Sequence, residues 1–404
     1  MPHRKFITPA QVFYGQGALQ GLAEIPGSKA FVITDRGVTA AGLLEKVEKI
    51  LRERKIKIER FDGTEAEPSQ DTLWKIGSLV QESKPDLIIG LGGGSCLDAG
   101  KVASVLYEQE EWIDSKWTDI GGKLATLGAR KKAKYVAIST TSGTGSEATH
   151  VAMITDTSTS PYTKGGWASP SLVADAAIAD PELTVSMPPT VTANTGFDAL
   201  IHAIECFVLD SPSVIVDSLA LGAARTIWQW LPRAVEDGAN LEAREKMHVA
   251  AMQAGMTFAN GVLGVVHILA IKMGGRYHIP HGPSCAQLLC PCFAFLYPTH
   301  GTRLAALAEA LGITGKSDKT RIASLIEGLN GMMKRVGIPA SIRETGVDEQ
   351  QFKADIKIMA EEYNKSMTAG RTQEQLRAAG VPVSVKEVEQ LFLHAWEGTW
   401  AEVK

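Results

Sequence analysis

The 404-residue chain has few cysteines, no excess of basic residues and no long apolar run. Its five cysteines, Cys96, Cys206, Cys285, Cys290 and Cys292, form no CxxC pair and no even-numbered framework. A disulfide scaffold is therefore excluded, and a reduced, cytoplasmic protein is expected. Lysine plus arginine number 41 against 45 acidic residues, a formal net charge of -4. Nothing in that balance calls for a nucleic-acid or anionic-membrane partner. No stretch approaches the roughly 18 apolar residues that a spanning helix requires. Met1-Pro2-His3-Arg4-Lys5 is followed by only a short apolar patch, which does not read as a signal peptide.

What is present is a large apolar fraction, 45% against 21% charged, enough for a substantial core. The first half alternates short apolar runs with helical patterns. Ala30–Thr34 precedes a helical stretch from Ala41 to Arg54, and Ile56–Phe61 precedes another from Thr72 to Glu82. Asp86–Leu91 runs into Gly92-Gly93-Gly94-Ser95, with a helix opening near Leu97, and Tyr135–Thr140 enters a second small-residue loop. This order predicts a mainly parallel sheet covered on both faces. Beyond Pro188-Pro189 the pattern is helical: Val191–Leu209, Val214–Leu231, Leu241–Asn260 and Arg303–Leu311. The expected division is an α/β domain over 1–187 and a helical domain over 188–404, with a ligand site in the cleft between them.

Gly92-Gly93-Gly94-Ser95 after a buried strand suits a phosphate cradle, because glycines let backbone N–H groups approach and the following helix adds a partial positive charge. Alone it reads equally well as a tight turn. A second loop, Thr140-Thr141-Ser142-Gly143-Thr144-Gly145-Ser146, follows another strand and offers hydroxyl donors. Asp35 also ends a strand, where a carboxylate either caps a helix or accepts from a ribose 2′-OH and repels a 2′-phosphate. It precedes the glycines instead of following them by about 20 positions, so any dinucleotide site here is a variant of the usual Rossmann order.

Asp198 and His202 are spaced i,i+4 in a helical stretch, which places a carboxylate and an imidazole on one face. His267 lies in an apolar run and His281 in Ile279-Pro280-His281-Gly282-Pro283. Singly, each has an ordinary structural reading as a core or capping residue. Together, one carboxylate and three imidazoles suit Fe²⁺ or Zn²⁺ with a coordination position left for a substrate oxygen.

Over nearly its full length the chain resembles the iron-containing (group III) alcohol dehydrogenases. The resemblance runs through GGGSCLDAGK (92–101), TTSGTGSEAT (140–149), DPELT (180–184), TGFDALIHAIE (195–205) and GVVHILAIKMGGRYHIPHG (264–282). It implies a Rossmann-like α/β domain plus an all-α metal-binding domain, the fold shared with dehydroquinate synthase. It also implies NAD as cofactor, Fe²⁺ or Zn²⁺ as metal, a small alcohol or aldehyde as substrate, and a homodimer or larger homo-oligomer. Carried over by position, Asp198, His202, His267 and His281 would hold the metal. Gly93, Gly94, Ser95, Asp98, Thr140, Thr141, Thr149, Lys164 and Leu183 would line the cofactor, Asp35 would set the NAD preference, and Phe258 would flank the substrate.

Three departures lie near the implied chemistry. Ile271 stands where relatives carry a second histidine, Cys285 where they carry asparagine, and Cys96 where they carry proline. The segment 363–372 brings Lys365 and Arg371 to an implied substrate-facing loop, and Lys272 and Arg276 follow Ile271; the ordinary reading of these cations is solvated surface charge, and the alternative is that one or more of them receives an anionic group on the substrate. Metal-independent maleylacetate reductases and dehydroquinate synthase-like lyases share the scaffold. The four metal positions speak against the former, and the forms of the GGGS and PHG segments against the latter. A homologue that binds metal and NAD without turnover is the remaining alternative, motivated by Ile271.

Overall fold

The computed structural model describes residues 5–113, 115–159, 162–209, 213–368 and 372–403. Two compact units are formed, Met1–Met187 with Gly238–Asn260, and Pro188–Asp237 with Gly261–Lys404.

The first unit is built on a six-stranded sheet. Its strands are β1 (Gln11–Tyr14), β2 (Lys29–Ile33), β3 (Lys57–Phe61), β4 (Leu87–Gly92), β5 (Lys134–Ser139) and β8 (Ala176–Ala179), in the order β1-β8-β5-β4-β2-β3. Every pairing in it is parallel. Strands β6 (Val151–Asp156) and β7 (Thr163–Ala168) form a separate antiparallel pair. Alternate residues of the central strands enter two different cores, as the two-residue period of a strand requires. Val32, Ile89 and Ile138 pack with Leu44, Val47 and Leu51 of the helix Leu43–Glu53. Phe31, Ile88 and Ala137 pack with Leu73 and Ile76 of Gln70–Ser83 and with Val102 and Leu106 of Gly94–Glu108. Both faces are therefore covered, which is why these strands read as unbroken apolar runs.

The chain moves from β2 outward to β3, then returns past β2 to β4 and continues to β5. The order in which strands are added thus reverses between β2 and β4, the position where open parallel sheets bind ligands beyond the strands' carboxyl ends.

The helix Leu241–Asn260, expected in the helical domain, belongs to the first unit. Its His248 is fully buried with its ring nitrogens 3.3 Å from Ser139 Oγ and 3.1 Å from Ser142 Oγ. Arg244 donates to the Met187 carbonyl at 3.1 Å. These polar contacts explain why a helix with no strand of its own leaves its sequence neighbours.

All regular elements of the second unit, among the described residues, are helical. The longest are Pro189–Val208, Val214–Glu236, His281–Ala310, Asp318–Arg335 and Glu349–Thr368. His281–Ala310 is two helices joined at His300, which follows Pro298; a proline inside a helix removes a backbone donor and breaks the ladder. No single helix among the described residues is long and apolar enough to cross a membrane.

Candidate functional site

In the second unit, Asp198 and His202 lie in the buried middle of Pro189–Val208. His267 sits in the first turn of Val265–Tyr277, and His281 opens the next helix. All four side chains converge. Asp198 Oδ1 is 3.7 Å from His267 Nε2 and 3.9 Å from His281 Nε2, while Asp198 Oδ2 is 3.9 Å from His202 Nε2. The His202 and His267 rings stack with centroids 4.7 Å apart. These separations are too long for hydrogen bonds. Ligand atoms sharing a tetrahedral cation at roughly 2.0–2.3 Å stand roughly 3.3–3.8 Å apart, so they suit a common ion.

Asp198 Oδ1 and His267 Nε2 are buried and accept or donate no hydrogen bond to protein, a costly arrangement unless a cation satisfies them. The residues fit a divalent metal.

Charge within the cluster supports this. Burial would raise the Asp198 carboxyl, but His202, His281 and His267 hold it well below the usual carboxylate range. Burial would push His281 down, but Cys285 and Asp198 raise it to about 9. His267 is likewise raised against the effect of burial, by Cys285, Asp198 and Glu205. The groups attract positive charge, whether protons or a metal.

Glu205 is the residue that sequence reasoning missed. It is fully buried, accepts from the Val266 N–H at 2.8 Å, and accepts from His267 Nδ1 at 2.6 Å. That bond fixes the tautomer and leaves Nε2 facing Asp198. Its signal was the spacing: 198, 202 and 205 follow i, i+4, i+7 on one helix face. Gly282 permits the helix approach that assembles the site, since a Cβ there would lie 2.2 Å from the Asn194 carbonyl oxygen.

Cys285 also enters the cluster. One turn after His281, its Sγ is 3.6 Å from His281 Nε2. Asp198, His267, His281 and Cys285 form a group whose donor atoms lie within 4.8 Å of one another. Burial raises the thiol and the neighbouring His281 and His267 lower it, the net direction being down.

In the first unit, Gly93 caps the helix Gly94–Glu108 directly after β4. Thr140, after β5, donates its N–H to the Gly92 carbonyl at 3.0 Å. A Cβ on Gly94 would lie 2.8 Å from Thr144 Cγ2 and one on Gly93 3.3 Å from Thr141 Cγ2, so the two loops abut. Asp35 Oδ1 accepts from the Val38 N–H at 2.8 Å, and its Oδ2 accepts from the Cys96 thiol at 3.2 Å. The carboxylate thus caps a helix while lying beside the glycine loop. Ser95 Oγ accepts from the Glu67 N–H at 3.1 Å, and Lys164 is brought to the same place by its ion pair with Glu67 at 2.5 Å.

Asp98 and Thr149 are placed in a buried network around Lys101, which no sequence argument singled out. Lys101 Nζ donates to Ser146 Oγ at 2.6 Å, Thr149 Oγ1 at 2.9 Å and the Val151 carbonyl at 2.6 Å. Asp98 accepts from Ser146 Oγ at 2.6 Å and from the Met153 N–H at 2.9 Å. This network ties the second loop to the helix that follows the first. Leu183 packs in the core with Val32, Ile50 and Ile138.

Phe258 is half-buried on the helix Leu241–Asn260 of the first unit. Lys365 is exposed near the end of Glu349–Thr368. Arg371 lies outside the described residues. Arg276 is engaged within its own unit by Glu362 at 3.2 Å and Asp355 at 3.7 Å.

Comparison with known proteins gives the same family from both ends of the chain. Residues 9–181 match the model described as iron-containing alcohol dehydrogenase, and 192–394 the model described as Fe-containing alcohol dehydrogenase family, C-terminal. The NADPH-dependent butanol dehydrogenase of Clostridium saccharobutylicum is 35% identical, with 98% of each chain covered. Long-chain-alcohol dehydrogenase 1 of Geobacillus thermodenitrificans is 32% identical, again over 98% of each. The crystal structure of a 1,3-propanediol oxidoreductase superposes with a TM-score of 0.88 at 30% identity, covering 98% of this chain and 100% of that one. The chain belongs to the iron-containing alcohol dehydrogenase family of oxidoreductases.

Proposed function

We propose that the chain is a metal-dependent, nicotinamide-linked dehydrogenase that interconverts a short-chain primary alcohol and its aldehyde. The observation that carries this reading is the convergence of Asp198, His202, His267 and His281, with Asp198 Oδ1 and His267 Nε2 buried and unpartnered. When bound, the metal supplies Lewis-acid polarisation of the alcohol or carbonyl oxygen, and the nicotinamide gives or takes the hydride.

The protein's part is placement. Asp198 contributes the negative charge that neutral imidazoles lack, and Glu205 holds His267 in the ligating tautomer. Fe²⁺ and Zn²⁺ both suit these donors. The abutting loops after β4 and β5 offer backbone N–H groups and hydroxyls to a pyrophosphate at a helix N-terminus. Asp35, beside the glycine loop, favours an unphosphorylated ribose and hence NAD(H), in contrast to the NADPH named for the butanol dehydrogenase. Ile271 offers no proton donor, so the hydroxyl proton exchanges through other groups or solvent.

The test is NADH and NADPH oxidation by protein loaded anaerobically with Fe²⁺ or Zn²⁺, across neutral and anionic short aldehydes. Turnover that prior chelation abolishes and reloading restores is expected, with preference for NADH. Undiminished turnover after complete chelation contradicts the metal reading. A preference for anionic aldehydes that Lys365→Ala or Arg371→Ala selectively abolishes would assign that cation to the substrate; indifference to charge removes both from that role.

A further inference from the structure

We propose that Cys285 is a further, thiolate ligand of the metal held by Asp198, His202, His267 and His281, and that it biases the site toward thiophilic ions such as Zn²⁺ and Co²⁺ over Fe²⁺. The inference rests on the metal-centre reading above.

Cys285 stands four residues after His281 on the same helix, which places the two side chains on one face. Its sulfur is 3.6 Å from His281 Nε2, and its Sγ joins the Asp198, His267 and His281 donor atoms in one group within 4.8 Å. The residue is fully buried, so solvent does not compete for the sulfur. Two other members of the group, Asp198 Oδ1 and His267 Nε2, are buried atoms without hydrogen-bond partners. By contrast, Cys290 donates to the Ile326 carbonyl at 3.5 Å, the ordinary use of a buried thiol.

On ligation the S–H bond breaks, its proton passes to solvent, and a sulfur–metal bond forms. Imidazole and carboxylate suit iron and zinc alike, whereas thiolate is a softer donor that favours zinc.

Cobalt(II) titration of the full chain tests this. The wild type is expected to bind Co²⁺ and show an intense near-ultraviolet sulfur-to-cobalt charge-transfer band. Cys285→Ser should retain weaker binding but lose the band. Its Zn²⁺ affinity, measured against a competing chelator, should fall at least as far as the roughly 10–100-fold seen when outer-sphere partners of metal ligands are removed. Zn-edge X-ray absorption of the wild type needs no variant, and should show a sulfur scatterer at about 2.3 Å. Bound Co²⁺ or Zn²⁺ with only nitrogen and oxygen neighbours overturns the proposal, as does a band that survives in Cys285→Ser. Failure of the wild type to bind either ion overturns the metal-centre reading itself.

Discussion

Glu205 accepts a 2.6 Å hydrogen bond from His267 Nδ1 and a 2.8 Å bond from the backbone N–H of Val266. One carboxylate thereby fixes both the ring and the backbone of the helix turn that presents it. Glu205→Gln keeps the shape but removes the charge, and its amide can turn the wrong hydrogen-bonding edge to Nδ1. Metal affinity is expected to fall about 10–100-fold. Competition with a calibrated chelator measures it, and unchanged affinity would assign Glu205 a packing role only.

Gly282 lies directly against the backbone of the helix carrying Asp198. A methyl group there would meet the Asn194 carbonyl oxygen at 2.2 Å, a backbone atom that cannot rotate away. Gly282→Ala should therefore cost at least about 1–3 kcal/mol, as overpacking does, and reduce bound metal. Thermal unfolding with and without added Zn²⁺ separates the two effects. A variant with normal stability and normal metal content would show that the helices can part without consequence.

Asp35 both caps a helix and meets Cys96 at the glycine loop. Asp35→Ser preserves a capping oxygen and removes the negative charge. The NADH-over-NADPH ratio of kcat/KM should then fall by about tenfold or more, ~1.4 kcal/mol. If the ratio is unchanged, the carboxylate serves the cap and not the cofactor.

Glu147 is fully buried, its Oε2 lacks a hydrogen-bond partner, and burial raises its pKa from 4.5 to about 7 despite Lys101 nearby. The folded state therefore holds this proton more tightly than the unfolded chain does. Its contribution to stability is full below the unfolded value, declines as pH rises, and is lost above the folded value. The span corresponds to something on the order of 3 kcal/mol. Denaturant unfolding at about pH 5 and about pH 8 should show a loss in the wild type that Glu147→Gln lacks. Equal pH dependence in the two proteins would rule Glu147 out as its source.

Much of this was legible in the chain, for physical reasons. Leu87–Gly92 is buried on both faces and ends in glycines, so both the strand and the loop after it are readable from residue type. Asp198 and His202 declare their common face by spacing. Ala176–Ala179 was not readable, because three of its four residues are alanines, which are poor strand formers; pairing with β1 and β5 makes them a strand. The helix Leu241–Asn260 shows its helicity in sequence but not its unit, which His248 and Arg244 decide through partners far away in the chain. Lys101 carries no signal of its own in the sequence, because Ser146, Thr149 and Val151 close around it only on folding. Cys285 was visible as a departure from relatives, but only folding places its sulfur beside His281.

The most direct test follows deuterium from C4-labelled NADH into the aldehyde carbon, comparing metal-loaded wild type with Asp198→Asn, alongside the metal content of each. The account predicts label on the carbinol carbon with the wild type, and background transfer with a variant that has lost its metal. Wild-type rates of label transfer by metal-free Asp198→Asn would contradict it.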